Sequence, residues 1–242
     1  FEVLVRWQSP TLGPVSPAEF VPIAESCGLF VKIDEWVIEN AFRQFAALSR
    51  LVGHEIKLSV NLSSAQLNLN NMNSHIAKQA QRFNIQPKQI QFEITETLNI
   101  EFNKQASQFL NNLIAQGYNI AIDDFGCGYT SLLQLVEFPA KMIKFDKTFM
   151  DKALDGDNRN MLKPLVELCH SQDLQVTVEG VETQDQVIYL RSLGCDFLQG
   201  YYFGKPTPLD AISAQLDECR QRIEELTTQI PYAHPSLKQV AR

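Results

Sequence analysis

The sequence lacks the features that mark several common classes of protein. Its five cysteines are an odd number among 242 residues and form no CxxC pair, so neither a zinc cluster nor a disulfide framework is expected. No apolar run approaches the roughly 20 residues of a spanning helix, and no signal-peptide pattern is present. We therefore expect a cytoplasmic domain without membrane contact of its own, whether or not its parent protein is anchored.

The sequence also lacks an excess of positive charge. It carries 28 acidic against 21 basic residues, for a formal net charge of −7. Long nucleic acid normally requires basic patches, so it is not an expected partner. A small anionic ligand remains compatible, because bound divalent cations reverse the local field.

Length and composition favour one soluble domain. A hydrophobic content of 45% and a charged content of 20% are ordinary for a globular protein. A chain of 242 residues matches the usual size of a single α/β barrel. We predict a domain over 1–227 and a flexible tail over 228–242, because the tail contains Pro231 and Pro235 with few apolar anchors.

Short β-branched or aromatic runs alternate with helical patterns along the chain. The predicted strands are Phe1–Trp7, Ile56–Asn61, Ile90–Thr95, Ile120–Asp124, Met142–Asp146, Gln175–Glu179 and Asp196–Gln199. The predicted helices begin near Ser16 and otherwise span Ile33–Leu48, Ser64–Phe83, Gln105–Gln116, Met161–Gln172, Gln184–Leu193 and Pro208–Thr227. This alternation predicts parallel βαβ units and a TIM-like (β/α)8 barrel. An eighth strand would lie most naturally upstream of Phe1.

Acidic and amide side chains stand near the ends of these predicted strands. They are Glu2, Asn61, Glu93, Asp123, Asp124, Glu179 and Gln199, with Lys144 among them. A parallel barrel brings the C-terminal ends of distant strands together at one mouth. The pattern therefore predicts an oxygen-rich site for two hard divalent cations.

Each of these residues also has a purely structural interpretation. Asp123 and Asp124 are either neutralised by cations or form an N-cap with a solvated neighbour. Glu93 is either a metal ligand or half of a buried ion pair. Lys144 either pairs with the in-register Asp146 or orients water and stabilises charge on a phosphoryl group.

Several motifs, in order and at compatible spacing from Phe1 to about Pro208, resemble the EAL domain family. This family comprises cyclic-di-GMP phosphodiesterases and their degenerate receptor relatives. The motifs are Glu2-Val3-Leu4, Ser16-Pro17-Ala18-Glu19-Phe20, Ser59-Val60-Asn61, Glu93-Ile94-Thr95-Glu96, Asp123-Asp124-Phe125-Gly126, Lys144-Phe145-Asp146, Glu179-Gly180-Val181-Glu182 and Leu198-Gln199-Gly200.

The resemblance implies a barrel whose first strand is antiparallel and precedes Phe1. It also implies two ions per site, Mg²⁺ or Mn²⁺. The implied ligands are Glu2, Asn61, Glu93 and Asp123 for the first ion, and Asp123, Asp124 and Glu179 for the second, with Asp146 close by. The other implied roles are water positioning by Lys144, assistance from Gln199, substrate contacts by Arg6 and Pro206, and bracing of the loop after Asp124 by Glu96.

The implied reaction is two-metal hydrolysis of cyclic-di-GMP to linear pGpG. The implied partners are a second copy of the chain and upstream sensory or GGDEF domains. Two departures, Val3 for the signature alanine and Cys127 for the usual threonine, leave open a receptor that binds cyclic-di-GMP without turnover. A glycosidase with two carboxylates is the other alternative, although Asn61 and Lys144 suit metals better.

Overall fold

Six parallel strands form the main sheet of the computed structural model, and they follow one another in chain order. The structure describes residues 1–63, 66–68, 71–95, 104–126, 139–154 and 160–229. The main sheet contains β3 (Leu58–Asn61), β4 (Ile90–Thr95), β5 (Asn119–Phe125), β6 (Met142–Phe145), β7 (Gln175–Val178) and β8 (Phe197–Leu198). An antiparallel hairpin of β1 (Trp7–Ser9) and β2 (Gly13–Val15) precedes it. Because the six strands run in one direction, their carboxyl ends share one edge of the sheet.

In the described part of the chain, helices follow β2, β3, β4, β6, β7 and β8, and several of them begin at clear capping signals. They are α1 (Pro17–Ser26), α2 (Phe30–Val52), α3 (Met72–Phe83), α4 (Lys104–Ala115), α5 (Lys147–Ala153), α6 (Leu162–Ser171), α7 (Gln184–Ser192) and α8 (Ile212–Gln229). Ser16 and Glu19 form a capping box at α1, with proline in the first turn. Thr183 and Gln186 form another at α7. Short 3-10 turns cover Gln66–Asn68, Pro87–Gln89 and Leu209–Ala211.

The helices bury apolar stripes against the sheet. In α2 the buried side chains include Ile38, Phe42 and Phe45, whose spacing of three and four places them on one face. They belong to a cluster with Phe92 of β4. A second cluster surrounds Phe145 of β6 and strand β7. Apolar burial on this scale holds the strand ends in fixed relative positions.

The sheet curls so that its two edges approach each other at the carboxyl ends. On one edge, Glu2 forms a parallel bridge with Ser59 of β3, and the amide of Val3 donates to the Ser59 carbonyl at 2.9 Å. On the other edge, Gln199 directly follows β8. Its Nε2 donates to Glu2 Oε2 at 2.6 Å. The strand ends therefore line a mouth, as in a TIM-like barrel.

The strands from β3 to β8 confirm the predicted βαβ pattern, but two local predictions are wrong and one helix was missed. The strand predicted over Phe1–Trp7 is reduced to the bridge at Glu2, and Trp7 instead begins the hairpin. The helix predicted from Ser64 begins at Met72, after a 3-10 turn. Helix α5 was not predicted, because seven residues are too few for a helical period to be read.

Two further predictions concern a membrane-spanning helix and the end of the domain. No helix in the described part of the chain combines the length and the apolar character needed to cross a membrane. Helix α8 continues to Gln229, two residues past the predicted domain boundary at 227. The remainder of the predicted tail, 230–242, lies outside the described residues.

Candidate functional site

Lys144 is the centre of a buried group of charged side chains at the mouth. It lies in β6 with a relative exposure of 2%. Its Nζ is 2.6 Å from Glu179 Oε1, 2.8 Å from Glu93 Oε2 and 3.0 Å from Asp123 Oδ1. Glu2 Oε2 is further away, at 3.8 Å. Four carboxylates from four separate segments therefore surround one ammonium group.

The strand register explains why these residues meet. Asn61 at the end of β3 is paired with Glu93 in β4, and Thr95 in β4 is paired with Asp123 in β5. Glu179 follows the last residue of β7, and its amide donates to the Phe145 carbonyl at 3.0 Å. From Asn61 to Glu93 there is no offset in register, whereas Asp123 lies two residues beyond the partner of Glu93 and Glu179 two residues beyond the partner of Lys144. Offsets of none or two keep the side chains on the same face of the sheet, where they meet at the mouth.

Asp123 and Asp124 form a bulge in β5. Between the pairs Ile122–Ile143 and Phe125–Phe145, β5 contains one residue more than β6. Asp124 has a φ of 56°, in the left-handed region that accommodates such an extra residue. As a result Asp123 is buried beside Lys144, whereas Asp124 is exposed. The adjacent carboxylates therefore occupy different surroundings.

Glu2 is held by two amide side chains. Asn61 Nδ2 donates to its Oε1 at 3.0 Å, and Gln199 Nε2 donates to its Oε2 at 2.6 Å. Both carboxylate oxygens are thereby fixed in direction. A carboxylate that accepts hydrogen bonds on both oxygens has little rotational freedom left, so its position relative to Lys144 is determined.

Glu93 is fixed in a similar way, by Gln91 and Lys144. Gln91 lies two residues earlier on the same face of β4, and its Nε2 is 3.4 Å from Glu93 Oε1. The same amide donates to Ser59 Oγ at 3.2 Å. Lys144 supplies the other contact, to Oε2. Of the two sequence interpretations of Glu93, the structure contains the buried ion pair, and its metal role stays a prediction.

Burial dominates the pKa values of two carboxylates of the cluster, whereas charge attraction dominates that of Lys144. It raises the pKa of Glu179 to about 7, although the neighbouring Lys144 opposes this shift. The pKa of Glu93 is raised for the same reason, again against the opposing effect of Lys144. Burial alone would lower the pKa of Lys144, but the attraction of Glu93, Glu2, Asp123 and Glu179 raises it. Lys144 is therefore charged at neutral pH.

The donor set fits a hard divalent cation by chemical type. Carboxylate and amide oxygens are the ligands that Mg²⁺ and Mn²⁺ prefer. Asp123 Oδ1 is buried and accepts no hydrogen bond from the described residues, although it lies 3.0 Å from Lys144 Nζ. This oxygen is ion-paired with Lys144 but has no aligned hydrogen-bond donor in the described part of the chain, so it retains acceptor capacity that a cation would satisfy.

The carboxylates nevertheless point at the lysine and not at a common vacant point. Across the described ranges, no three histidine, cysteine, aspartate or glutamate side chains are already spaced as ligands of one ion. Asn61 presents Nδ2 to Glu2, so its oxygen would become available in that direction only after the amide rotates. Metal binding at this site thus requires side chains to turn away from the contacts described above.

Three further predicted site residues, Asp146, Arg6 and Pro206, belong to the described part of the chain. Asp146 is the N-cap of α5, where its Oδ1 accepts from the Thr148 amide at 2.5 Å. Arg6 is exposed and donates to the Val5 carbonyl at 2.9 Å. Arg6, Pro206 and Glu2 line one groove of about 410 Å³. Glu96 and Cys127 lie outside the described residues.

Sequence reasoning missed two buried polar residues, Gln91 beside Glu93 in β4 and Asp34 in α2. Gln91 had a usable signal, since it stands two positions before Glu93 in an otherwise apolar strand and must share its face. Asp34 of α2, which is buried and accepts a hydrogen bond from Ser63, gave no signal. A charged residue in an amphipathic helix is normally assumed to be solvated.

Parallel strands and helices, with an oxygen-rich charged cluster at the carboxyl ends of the strands, define a TIM-like barrel protein, and the barrel mouth is its candidate functional site. Residues 1–206 match the family model of the EAL domain. The chain belongs to the EAL domain family.

Named relatives agree with this assignment. The chain is 47% identical over 216 residues to the biofilm architecture maintenance protein MbaA of Vibrio cholerae, covering 89% of this chain and 27% of MbaA. It is 32% identical over 213 residues to the cyclic di-GMP phosphodiesterase NbdA of Pseudomonas aeruginosa, covering 87% of this chain and 27% of NbdA. The chain thus spans about a quarter of the length of these two relatives.

A solved structure supports the fold directly. The PaMucR phosphodiesterase in complex with c-di-GMP superposes with a TM-score of 0.79 at 36% sequence identity, covering 87% of this chain and 86% of that chain. The predicted TIM-like fold is thereby confirmed. The antiparallel first strand upstream of Phe1 stays a prediction.

Proposed function

We propose that this site hydrolyses cyclic-di-GMP to linear pGpG with two bound divalent cations, Mg²⁺ or Mn²⁺. The observation that carries the proposal is the convergence of four carboxylates on Lys144 at the strand ends. An EAL relative named as a cyclic di-GMP phosphodiesterase and the c-di-GMP complex of another add support.

The metal ligands divide into two sets on this proposal. Glu2, Asn61, Glu93 and Asp123 would hold the first ion, and Asp123, Asp124 and Glu179 would hold the second, with Asp146 nearby. When bound, the ions supply positive charge for the phosphoryl oxygens and lower the pKa of a coordinated water. The bulge in β5 suits Asp123 to a shared role, since it sends Asp123 inward and Asp124 outward.

The side chains of the chain orient the reactants. One P–O bond of the cyclic ligand breaks, the hydroxyl of water remains on phosphorus, and a proton goes to the leaving ribose oxygen. Lys144 Nζ lies between Glu93, Asp123 and Glu179, where it can donate to the attacking water or to a phosphoryl oxygen. Gln199 holds the Glu2 carboxylate in place through its hydrogen bond to Oε2. Arg6 and Pro206 line the groove beside Glu2 and would contact the substrate on this proposal.

The structure of the Val3 segment favours an enzyme over a receptor. The larger side chain of Val3 packs against the core as a partly buried residue, and its amide keeps the hydrogen bond to Ser59. Glu2 still reaches the cluster. The valine is therefore accommodated without displacing the neighbouring glutamate.

We further propose, on the family resemblance, a cytoplasmic domain that forms a homodimer and is controlled by upstream sensory or GGDEF domains.

The test is incubation of the purified protein with cyclic-di-GMP and Mg²⁺ or Mn²⁺, with product analysis by chromatography. Metal-dependent pGpG formation that disappears on chelation and in Glu93→Gln would support the proposal. Ligand binding without turnover in either metal would identify a receptor instead. Neither binding nor turnover would exclude both functions.

A further inference from the structure

Asp34 is a buried carboxylate on the helix behind the mouth. It lies in α2 with a relative exposure of 7%. Its Oδ2 accepts a hydrogen bond from Ser63 Oγ at 3.2 Å. No lysine or arginine forms an ion pair with it among the described residues. An uncompensated carboxylate in such surroundings is costly, so overall stability is a poor reason for its presence.

The partner of Asp34 organises the turn that follows β3. The amide of Ser63 donates to Gln66 Oε1 at 2.7 Å. In return the amide of Gln66 lies 3.3 Å from Ser63 Oγ and 3.2 Å from the Ser63 carbonyl. Gln66 is itself buried, with 1% exposure. The hydroxyl of Ser63 therefore accepts from the turn and donates to Asp34, so that Asp34 sets its direction.

This turn begins two residues after Asn61. Between them, Leu62 is buried and its amide donates to the Glu93 carbonyl at 2.8 Å. Asn61 in turn donates to Glu2 at 3.0 Å. The backbone that carries Asn61 is consequently held on one side by β4 and on the other by the Ser63–Asp34 contact.

We propose that Asp34 is a positioning residue for the metal site, acting through Ser63 on Asn61. The inference rests on the proposed role of Asn61 as a metal ligand. Asp34 touches neither metal nor substrate. It holds the turn after β3 so that Asn61 can rotate its amide oxygen toward an ion without the backbone moving. Only a hydrogen-bond acceptor in this position is needed, so an amide oxygen can replace the carboxylate.

The experiment compares six proteins by titration with Mn²⁺, with the free ion measured by electron paramagnetic resonance. They are the wild type, Asp34→Ala, Asp34→Asn, Ser63→Ala, the double variant Asp34→Ala with Ser63→Ala, and Gln79→Ala. Gln79 in α3 is the matched control, because it is another buried polar side chain, with 5% exposure, and its Oε1 lacks a partner among the described residues. The melting temperature of each metal-free protein is recorded in parallel.

The expected result is a loss of Mn²⁺ affinity of about tenfold in Asp34→Ala, since removing an outer partner of a ligand typically costs 10–100-fold. Asp34→Asn should restore the affinity to within about a factor of two of the wild type, because it still accepts from Ser63. Gln79→Ala should also keep wild-type affinity. Ser63→Ala should reproduce the loss, and combining it with Asp34→Ala should add nothing further, as expected for residues acting in series.

Unchanged affinity in Asp34→Ala would overturn the inference. An equal loss in Gln79→Ala would also overturn it, because the effect would then be general destabilisation. If the wild type binds Mn²⁺ but does not hydrolyse cyclic-di-GMP, the proposed enzyme function fails while the positioning role is still decided by the titration. If the wild type does not bind Mn²⁺, the positioning role fails together with the metal part of the proposed function.

Discussion

Gln199 Nε2 donates a 2.6 Å hydrogen bond to Glu2 Oε2, which joins two residues 197 positions apart in sequence. The contact connects the end of β8 to the segment that bridges β3. It therefore links the two edges of the curled sheet at the mouth. It also fixes a carboxylate that we expect to bind metal.

Replacing Gln199 with methionine should impair catalysis more than folding. The variant removes one hydrogen bond, worth about 1 kcal/mol of stability, but frees Glu2 to rotate. We expect kcat/KM for cyclic-di-GMP to fall roughly 10–100-fold, in line with other partners of metal ligands. Steady-state kinetics at several Mg²⁺ concentrations provides the measurement.

Gln116→Met is the matched control for Gln199. Its amide donates to the Asn112 carbonyl at 3.1 Å, just after α4 and away from the carboxylate cluster. Kinetics within about a factor of two of the wild type are expected there, since small effects are usual for such sites. Equal losses in the two variants would contradict a specific role of Gln199 in holding Glu2.

Lys144→Met should destabilise the metal-free protein strongly, and divalent cations should reverse much of the effect. Removing the ammonium leaves Glu93, Asp123 and Glu179 without their shared counter-charge. Breaking a buried ion pair typically costs 3–5 kcal/mol. Because Mn²⁺ can neutralise the same oxygens, its addition should raise the melting temperature of the variant more than that of the wild type.

The control for Lys144 is Lys88→Met. Lys88 forms an exposed pair with Glu55 at 3.0 Å, and such pairs contribute about 0–1 kcal/mol. Thermal unfolding with and without Mn²⁺ measures both variants. A melting temperature of Lys144→Met that does not respond to Mn²⁺ would argue against a cation site formed by these carboxylates.

The cluster could be predicted from sequence because strand ends are readable. Mostly apolar runs such as Ile90–Ile94 and Met142–Phe145 are readable as strands, and each contains a charged residue near its carboxyl end. In a parallel sheet that residue lies at the mouth. What could not be read is the pairing within the cluster. Period-two alternation puts Lys144 and Asp146 on one face, but β6 ends at Phe145 and Asp146 turns away to cap α5.

Edges and supports of the sheet were less predictable for physical reasons. The segment Phe1–Trp7 has the composition of a strand, yet composition does not specify a partner. Its pairing with β3 is limited to one bridge at Glu2, formed by the backbone hydrogen bonds of Phe1 and Val3 to Ser59. The hairpin was missed because Gly13 and Pro14 read as strand breakers. Asp34 was missed because tertiary contacts decide which polar positions of an amphipathic helix are buried. For Asp34 that contact is the hydrogen bond from Ser63.

Asp34→Asn should stabilise the protein at high pH and not at low pH. Burial raises the pKa of Asp34 to about 7 from an ordinary value of 3.8, with a further contribution from Glu25 and an opposing one from Ser63. The folded state then binds more protons than the unfolded state between these values, so this residue makes stability fall as pH rises from 4 to 7. The shift corresponds to at most about 4 kcal/mol at pH 8. Chemical unfolding at pH 4 and pH 8 measures the difference.

The comparison for Asp34 is Glu35→Gln, which neutralises the exposed neighbour in α2. A surface substitution of this kind should change the free energy of unfolding by less than about 0.5 kcal/mol at either pH. If Asp34→Asn were neutral or destabilising at pH 8, the carboxylate would have to be compensated in the folded protein, and its raised pKa would be wrong.

Gly180→Ala should damage both folding and the site, because Gly180 follows Glu179 and has no room for a side chain. Its φ is +68°, and an added Cβ would lie 2.5 Å from Lys147 Cβ in α5. Left-handed strain of about 1–2 kcal/mol and overpacking of about 1–3 kcal/mol should together lower the free energy of unfolding by about 2–5 kcal/mol.

Gly53→Ala separates the two contributions, since Gly53 has a similar φ of +73° but no atom within 4 Å of an added Cβ. It should show the strain alone, with wild-type kinetics, whereas Gly180→Ala should also lower kcat by displacing Glu179. Similar unfolding energies for the two variants would mean that α5 gives way, and that the close packing of Lys147 does not position Glu179.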